Sequence, residues 1–254
     1  MKRRKAGIGI FVIVLIITAV RVKSMDSHRI SGRILAENIA GPGMLRLVEQ
    51  SMQARARKTS VTEIAVKERK HPQAALTFDD GPDIRYTPLL LDGLKERNVR
   101  VSFFLLGEKV EQYPELVERM QKEGHLVGNH TYHHVQLNKL NETKAREEIL
   151  KTNNLIYETT GVYPLYLRPP FGAWKKNLEL CVEMFPVFWT IDTLDWKVQN
   201  TEKIVRTVQE QIEDGAIILM HDEYDTSVEA ALQVVDELKN QGYELVTVDQ
   251  LILP

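Results

Sequence analysis

Ionisable residues recur where short apolar runs end. Asp79 and Asp80 follow "ALTF", and Arg168 follows "LYL". His130 and His134 follow "HLVGN", with His133 between them. Asp192 and Asp195 follow "VFWTI", and His221 and Asp222 follow "AIILM". Imidazole is the commonest protein metal ligand at neutral pH. On a helical turn, His130 could share a face either with His134, four residues on, or with His133, three residues on. The spacing leaves that choice open. A carboxylate from Asp79 or Asp80 would complete a two-histidine, one-carboxylate set with positions left for water and substrate. Nitrogen and oxygen ligands without thiolate suit Zn²⁺, with Co²⁺, Ni²⁺ or Mn²⁺ as alternatives. Such an ion acidifies water and polarises a carbonyl. An adjacent aspartate could take the water's proton, and Arg168 could orient that aspartate through a forked contact. His221 could protonate a leaving amine if a carboxylate such as Asp195 holds it cationic. Together these parts suit hydrolysis of an amide or an ester.

Positioning them falls to a regular alternation that starts at Ala74. The predicted strands are "AALTFDD", "VSFFLLG", "HLVGNHT", "LYLRPP", "VFWTIDT" and "AIILMHD", with "ELVTVDQLI" as a final strand or strand plus turn. Between them lie the predicted helices "TPLLLDGLKERN", "PELVERMQKEG", "NETKAREEILKTNNLIYETTG", "KKNLELCVEMF", "TEKIVRTVQEQIEDG" and "SVEAALQVVDELKNQG". Asn141 is placed to cap the third helix and Gly124 to end the second. About seven strand–helix repeats imply parallel strands covered by helices. Right-handed crossovers can close such a sheet into a barrel or leave it open and doubly wound, and periodicity does not separate the two. In either case the C-terminal strand ends share one face, where active sites form.

Charge and hydropathy bound the rest. The chain has 254 residues and a formal charge of −2. Residues 1–70 hold 15 Lys/Arg and 5 Asp/Glu, which leaves 18 and 30 for residues 71–254, a charge of −12 there. So acidic a main domain argues against binding a phosphate backbone, and no nucleic-acid partner is expected. The single cysteine, Cys181, excludes an intramolecular disulfide and reads as core packing. At the N-terminus, basic Lys2–Lys5 precedes an uncharged apolar run of 15 residues, Ala6–Val20. A full span takes about 20 residues. Val22 and the snorkelling side chains of Arg21 and Lys23 can extend the run. "ITAVRV" lacks a clean Ala-x-Ala, so residues 1–23 read as a cytoplasmic basic tip and uncleaved signal anchor in the cell membrane. The N-terminus is then inside and the remainder outside. Secretion after signal cleavage is the alternative. Residues 24–70 read as a stalk or linker.

Five motifs in order, across about residues 72–252, resemble the polysaccharide deacetylases of carbohydrate esterase family 4, the NodB-homology family. They are "TFDDGP" at 77–82, "HTYHH" at 130–134, "RPPFG" at 168–172, "DTLDW" at 192–196 and "LMHD" at 219–222. The resemblance implies an α/β fold, a distorted (β/α)7 barrel spanning residues 71–254. It makes Asp79 the general base, and Asp80, His130 and His134 the ligands of a Zn²⁺-type ion, with His133 a spacer. By the same match Arg168 steadies Asp79, Asp195 supports the general acid His221, and Trp196 and Leu219 line an acetyl pocket. Phe171 stands where the family commonly has Tyr; its backbone N–H would bind the oxyanion. Val135 stands where Pro is frequent. The implied activity removes N-acetyl groups from GlcNAc residues of a cell-wall glycan, most readily peptidoglycan, by a monomer. Chitooligosaccharide deacetylation, xylan O-acetyl esterase activity and a non-catalytic glycan-binding domain are the alternatives. Outside these roles, Asp222 reads as a cap of the last helix, Asp192 as a local hydrogen-bonding group, and His71 and His125 as solvated or structural histidines.

Overall fold

Strand β1 (Gln73–Asp79) shows how the sheet separates core from site. Side chains alternate with period two. Ala74, Leu76 and Phe78 join the main apolar cluster, whereas Ala75 joins a second cluster with Phe104 and Tyr166. Thr77 and Asp79 therefore point to the same side as Ala75. The computed structural model describes residues 70–174 and 184–252. These lie in one unit that runs from Arg69 to Pro254.

The strands that follow are β2 (Ser102–Leu105), β3 (Leu126–Asn129), β4 (Tyr166–Leu167), β5 (Phe185–Pro186), β6 (Ile191–Asp192), β7 (Ala216–His221) and β8 (Glu244–Leu245). Every pairing is parallel, in the order β5-β4-β3-β2-β1-β7-β6, with β8 also paired to β1. The path has two ends, β5 and β6, so the described sheet is a curled half-barrel whose hydrogen bonding does not close. Its helices are α1 (Tyr86–Glu96), α2 (Gly107–Gln112), α3 (Pro114–Lys122), α4 (Glu142–Thr160), α5 (Asp195–Val198), α6 (Thr201–Gln211), α7 (Asp225–Asn240) and α8 (Val248–Ile252).

Local signals set several boundaries as expected. Asn141 caps α4 by accepting from Lys144 N–H at 2.9 Å, and Gly161 ends it at φ 73°. Gly124, at φ 83°, follows α3. Three readings are corrected. "VFWTIDT" forms only the two-residue β6, because just Ile191 and Asp192 find partners in β7. Phe185, read as the last residue of a helix, instead forms β5 with Pro186, paired with β4. "HTYHH" is not a helical turn: it is a loop in which Thr131 (φ 67°) and His134 (φ 55°) are left-handed. Cys181, most of the helix read at 175–185, the anchor at 1–23 and the linker to residue 69 lie outside the described residues. Among the described residues no helix is long and apolar enough to cross a membrane.

Gly128 lets β3 carry its histidine loop into the site. A Cβ there would lie 2.7 Å from the Phe104 ring and 3.0 Å from the Tyr166 carbonyl. Backbone on one side and a buried ring on the other leave no room to yield. Gly128→Ala should destabilise the chain by about 1–3 kcal/mol, an ordinary cost of overpacking. Denaturant unfolding of the two proteins checks this.

Candidate active site

At the end of β1, Asp79 is almost completely buried, and so is its partner Arg168 just after β4. Arg168 Nη1 donates to Asp79 Oδ1 at 2.8 Å and to Thr77 Oγ1 at 2.7 Å. The contact is not the forked one expected. One nitrogen serves both acceptors, while Nε reaches the Val187 carbonyl at 3.4 Å. The guanidinium carbon lies 4.2 Å from the centre of the Phe104 ring. Asp79 is thus held by a cation that is itself fixed by packing.

Asp80, one residue on, faces elsewhere because its backbone is left-handed at φ 69°. Its Oδ1 lies 3.4 Å from His130 Nε2 and 3.4 Å from His134 Nε2. These ligand atoms all fall within 4.8 Å of one another. Tetrahedral bonds of about 2.0–2.1 Å to a zinc ion set ligand atoms about 3.3 Å apart. Asp80 Oδ1 is also buried without a hydrogen-bond partner, so an acceptor is left over where a cation would sit. His130 Nδ1 lies 2.7 Å from the Arg168 carbonyl. A carbonyl only accepts, so Nδ1 carries the proton and Nε2 presents its lone pair to Asp80. The residues therefore fit a divalent metal. Burial pushes the Asp80 carboxyl up, but His130, His134 and His221 outweigh it and hold Asp80 well below the usual carboxylate range. Burial pushes His134 down, toward the neutral form a ligand needs. His133 stands apart: its ring is exposed and donates from Nδ1 to Glu148 at 2.8 Å.

His221, at the end of β7, meets Asp195 at the start of α5. Its Nδ1 donates to Asp195 Oδ1 at 2.8 Å, and its backbone N–H donates to Oδ2 at 2.8 Å. Burial pushes the imidazolium down. The hydrogen bond and charge of fully buried Asp195, with the charges of Asp79 and Asp80, more than reverse this and raise it to about 9. His221 Nε2 lies 3.8 Å from Asp80 Oδ2.

Asp79, Asp80, His130, His134 and His221 share a cleft of about 410 Å³, which Phe171, Trp196 and Leu219 also line. Leu219 is buried beneath it, while Phe171 and Trp196 stand exposed. Phe171 is left-handed at φ 59°, and its ring lies 4.5 Å from that of His134. The hydrogen bonds of its turn come from Gly172 and Ala173, so the Phe171 N–H takes no part in them. Asp79, Asp80, His130, His134, Arg168, Phe171, Asp195, Trp196, Leu219 and His221 thus meet at one end of the sheet.

The model of the family described as polysaccharide deacetylase matches residues 66–186. A peptidoglycan-N-acetylglucosamine deacetylase of Bacillus cereus is 40% identical over 186 residues, covering 70% of this chain and 68% of that protein. The chain belongs to the polysaccharide deacetylase family. PgdA of Listeria monocytogenes, a peptidoglycan-N-acetylglucosamine deacetylase, is 42% identical over 185 residues, 73% of this chain. The chain spans only 40% of that relative's length. The solved peptidoglycan deacetylase PdaC from Bacillus subtilis superposes with a TM-score of 0.70 at 42% identity, covering 72% of this chain and 91% of that one.

Sequence reasoning missed several groups around the family's motifs. Thr77 shares Arg168 with Asp79; its place two residues earlier on β1 was the available signal. Trp189, Leu194, Glu223 and Tyr224 line the cleft, but nothing in their spacing marks them. Asp192 does bond locally, accepting from Leu194 N–H at 3.0 Å, and His125 is structural, accepting from Val101 N–H at 3.1 Å. Asp222 does not cap α7, whose cap position is Tyr224. It is buried and accepts from Thr87 Oγ1, and its carboxylate occupies the space that a Cβ on Gly81 would need, 2.5 Å away.

The His221–Asp195 pair generates a titration test. The folded value of about 9 exceeds the ordinary 6.5. The pair's contribution to stability is therefore complete below pH 6.5 and is lost as pH rises through about 9. In the metal-free chain, NMR should show His221 titrating near 9, and well below that in Asp195→Asn. An unchanged value in Asp195→Asn would remove the carboxylate as its cause.

Proposed function

We propose that this chain is a metal-dependent deacetylase that hydrolyses the N-acetyl groups of GlcNAc residues in peptidoglycan. One observation carries the reading: Asp79 and His221, each locked by its own buried partner, both adjoin the Asp80–His130–His134 cluster. A cation held by those three residues, Zn²⁺ by preference and Co²⁺, Ni²⁺ or Mn²⁺ otherwise, would acidify water and polarise the acetyl carbonyl. Asp79 then accepts the proton of the attacking water, its carboxylate aimed by Arg168. The Phe171 N–H donates to the oxygen that becomes negative. The new C–O bond forms, the C–N bond breaks, and His221 gives its proton to the leaving amine. Acetate and a free amino sugar result. Leu219 and Trp196 supply the apolar wall that an acetyl methyl requires.

The relatives support the polymer as well as the bond. PgdA and the Bacillus cereus protein are named for N-acetylglucosamine in peptidoglycan. A second reading has one specific support: PdaC, 43% identical over 177 residues, is called a peptidoglycan-N-acetylmuramic acid deacetylase. The non-catalytic reading loses ground because base, acid and both of their buried partners are present. We also propose, from the basic tip and apolar run at 1–23, that a membrane anchor presents a monomeric catalytic domain, a distorted (β/α)7 barrel, to the wall outside the cell.

Acetate release from muropeptides, with mass spectrometry to locate the deacetylated sugar, tests the reading. Activity should vanish with a chelator and return with Zn²⁺. Asp79→Asn should keep the metal and lose about 10²–10⁴-fold in rate, the usual worth of a general base. Asp80→Asn should lose the metal itself. A metal-free Asp79→Asn beside a loaded Asp80→Asn would exchange the two roles. Loss of acetyl from muramic acid alone would favour the second reading.

A further inference from the structure

The loop that carries both histidines is strained. Two of its residues that are not glycine, Thr131 and His134, are left-handed. Thr131 is β-branched, for which this conformation is an outlier. Such strain persists only where the surroundings over-determine it. Here two helices do so. From α2, Gly107 N–H donates to the Thr131 carbonyl at 3.0 Å, and Glu108 N–H donates to that of Tyr132 at 3.3 Å. From α4, Glu148 accepts from the loop's N–H groups. Its Oε2 takes Tyr132 N–H at 3.1 Å and His133 N–H at 2.9 Å, and its Oε1 takes His133 Nδ1 at 2.8 Å. Asn129 Oδ1 takes Thr131 N–H at 2.7 Å.

We propose that Glu148 is a positioning residue for the metal site, holding the loop so that His130 and His134 both present Nε2 to Asp80. This gives His133 a task its spacing concealed: its ring supplies the third hydrogen bond of the clamp and no ligand. The inference rests on the metal reading of Asp80, His130 and His134. Glu148 touches no ligand side chain. It acts through the two backbone N–H groups between the histidines. Without it those donors lose their acceptor, and the strained loop is free to relax and carry His134 away.

Zn²⁺ titration of the purified, metal-free full chain by calorimetry tests this. Partners that orient metal ligands are typically worth about 10–100-fold in affinity. Glu148→Ala should weaken Zn²⁺ binding by about that factor, and so should Glu148→Asp, whose shorter side chain cannot span the same three donors. Glu148→Gln should bind close to the unaltered chain, since its amide oxygen can accept both backbone N–H groups and its NH₂ can donate to a neutral His133. That rescue separates hydrogen-bonded positioning from a general effect of charge. Should Glu148→Ala fail to fold, Glu148→Asp decides. Equal affinity in Glu148→Asp and the unaltered chain overturns the inference while leaving the metal reading intact, and so does a Glu148→Gln as weak as Glu148→Asp. An unaltered chain that binds no Zn²⁺ overturns both.

Discussion

A buried ion pair, Arg168 with Asp79, is the constraint on which the site depends. Arg168 is fully buried, and taking two charges out of water costs more than their attraction reliably returns. Burial pulls the guanidinium down, and Asp79 is the main opposing influence. Stability alone gives weak reason to keep such a pair. What it does is fix one carboxylate. Arg168 is clamped by Thr77, the Val187 carbonyl and the Phe104 ring, so Asp79 cannot swing toward the cluster beside it. The Arg168 carbonyl also accepts the hydrogen bond of His130 Nδ1–H. A single residue therefore sets the orientation of the base and the tautomer of a ligand.

Adjacent Asp79 and Asp80 diverge for a backbone reason. Asp79 continues the period-two pattern of β1 and points inward with Thr77. Asp80 leaves the strand with positive φ and turns to the histidines. The electrostatics then differ as well. Asp80 sits among three imidazoles with one oxygen unpartnered, whereas Asp79 is already neutralised by a guanidinium. His221 is held by a third carboxylate, Asp195, which keeps its proton where an acid needs it. Chemically alike groups acquire different tasks from which partner each strand end supplies.

Much of this was legible in the sequence because a parallel sheet converts order along the chain into convergence in space. Asp79, His130, Arg168, Asp195 and His221 each follow an apolar run, and each lies at or just beyond a strand end. The long helices were legible too, since Asn141 and Gly161 punctuate α4 and the apolar spacing of α7 matches its buried face. The two-residue β5 was not, and neither was the shortness of β4 and β6, because pairing with a neighbour defines such strands rather than any local pattern. The choice between His133 and His134 was hidden for a related reason. Helical spacing treats the two alike, and what separates them is a pair of left-handed residues stabilised by a glutamate fifteen positions away. The Arg168 contact differed from the forked one because Nη1 alone serves both Asp79 and Thr77, which is unmarked in the sequence, while Nη2 is buried without a partner.

The central claim is the ligand set. Anomalous diffraction at the zinc edge, from crystals of the full chain grown with Zn²⁺, addresses it directly. A single strong peak bonded to Asp80, His130 and His134, with Asp79 and His133 unbonded, is the expected result. A peak at His133 and Glu148, or one that takes Asp79 in place of Asp80, would contradict it.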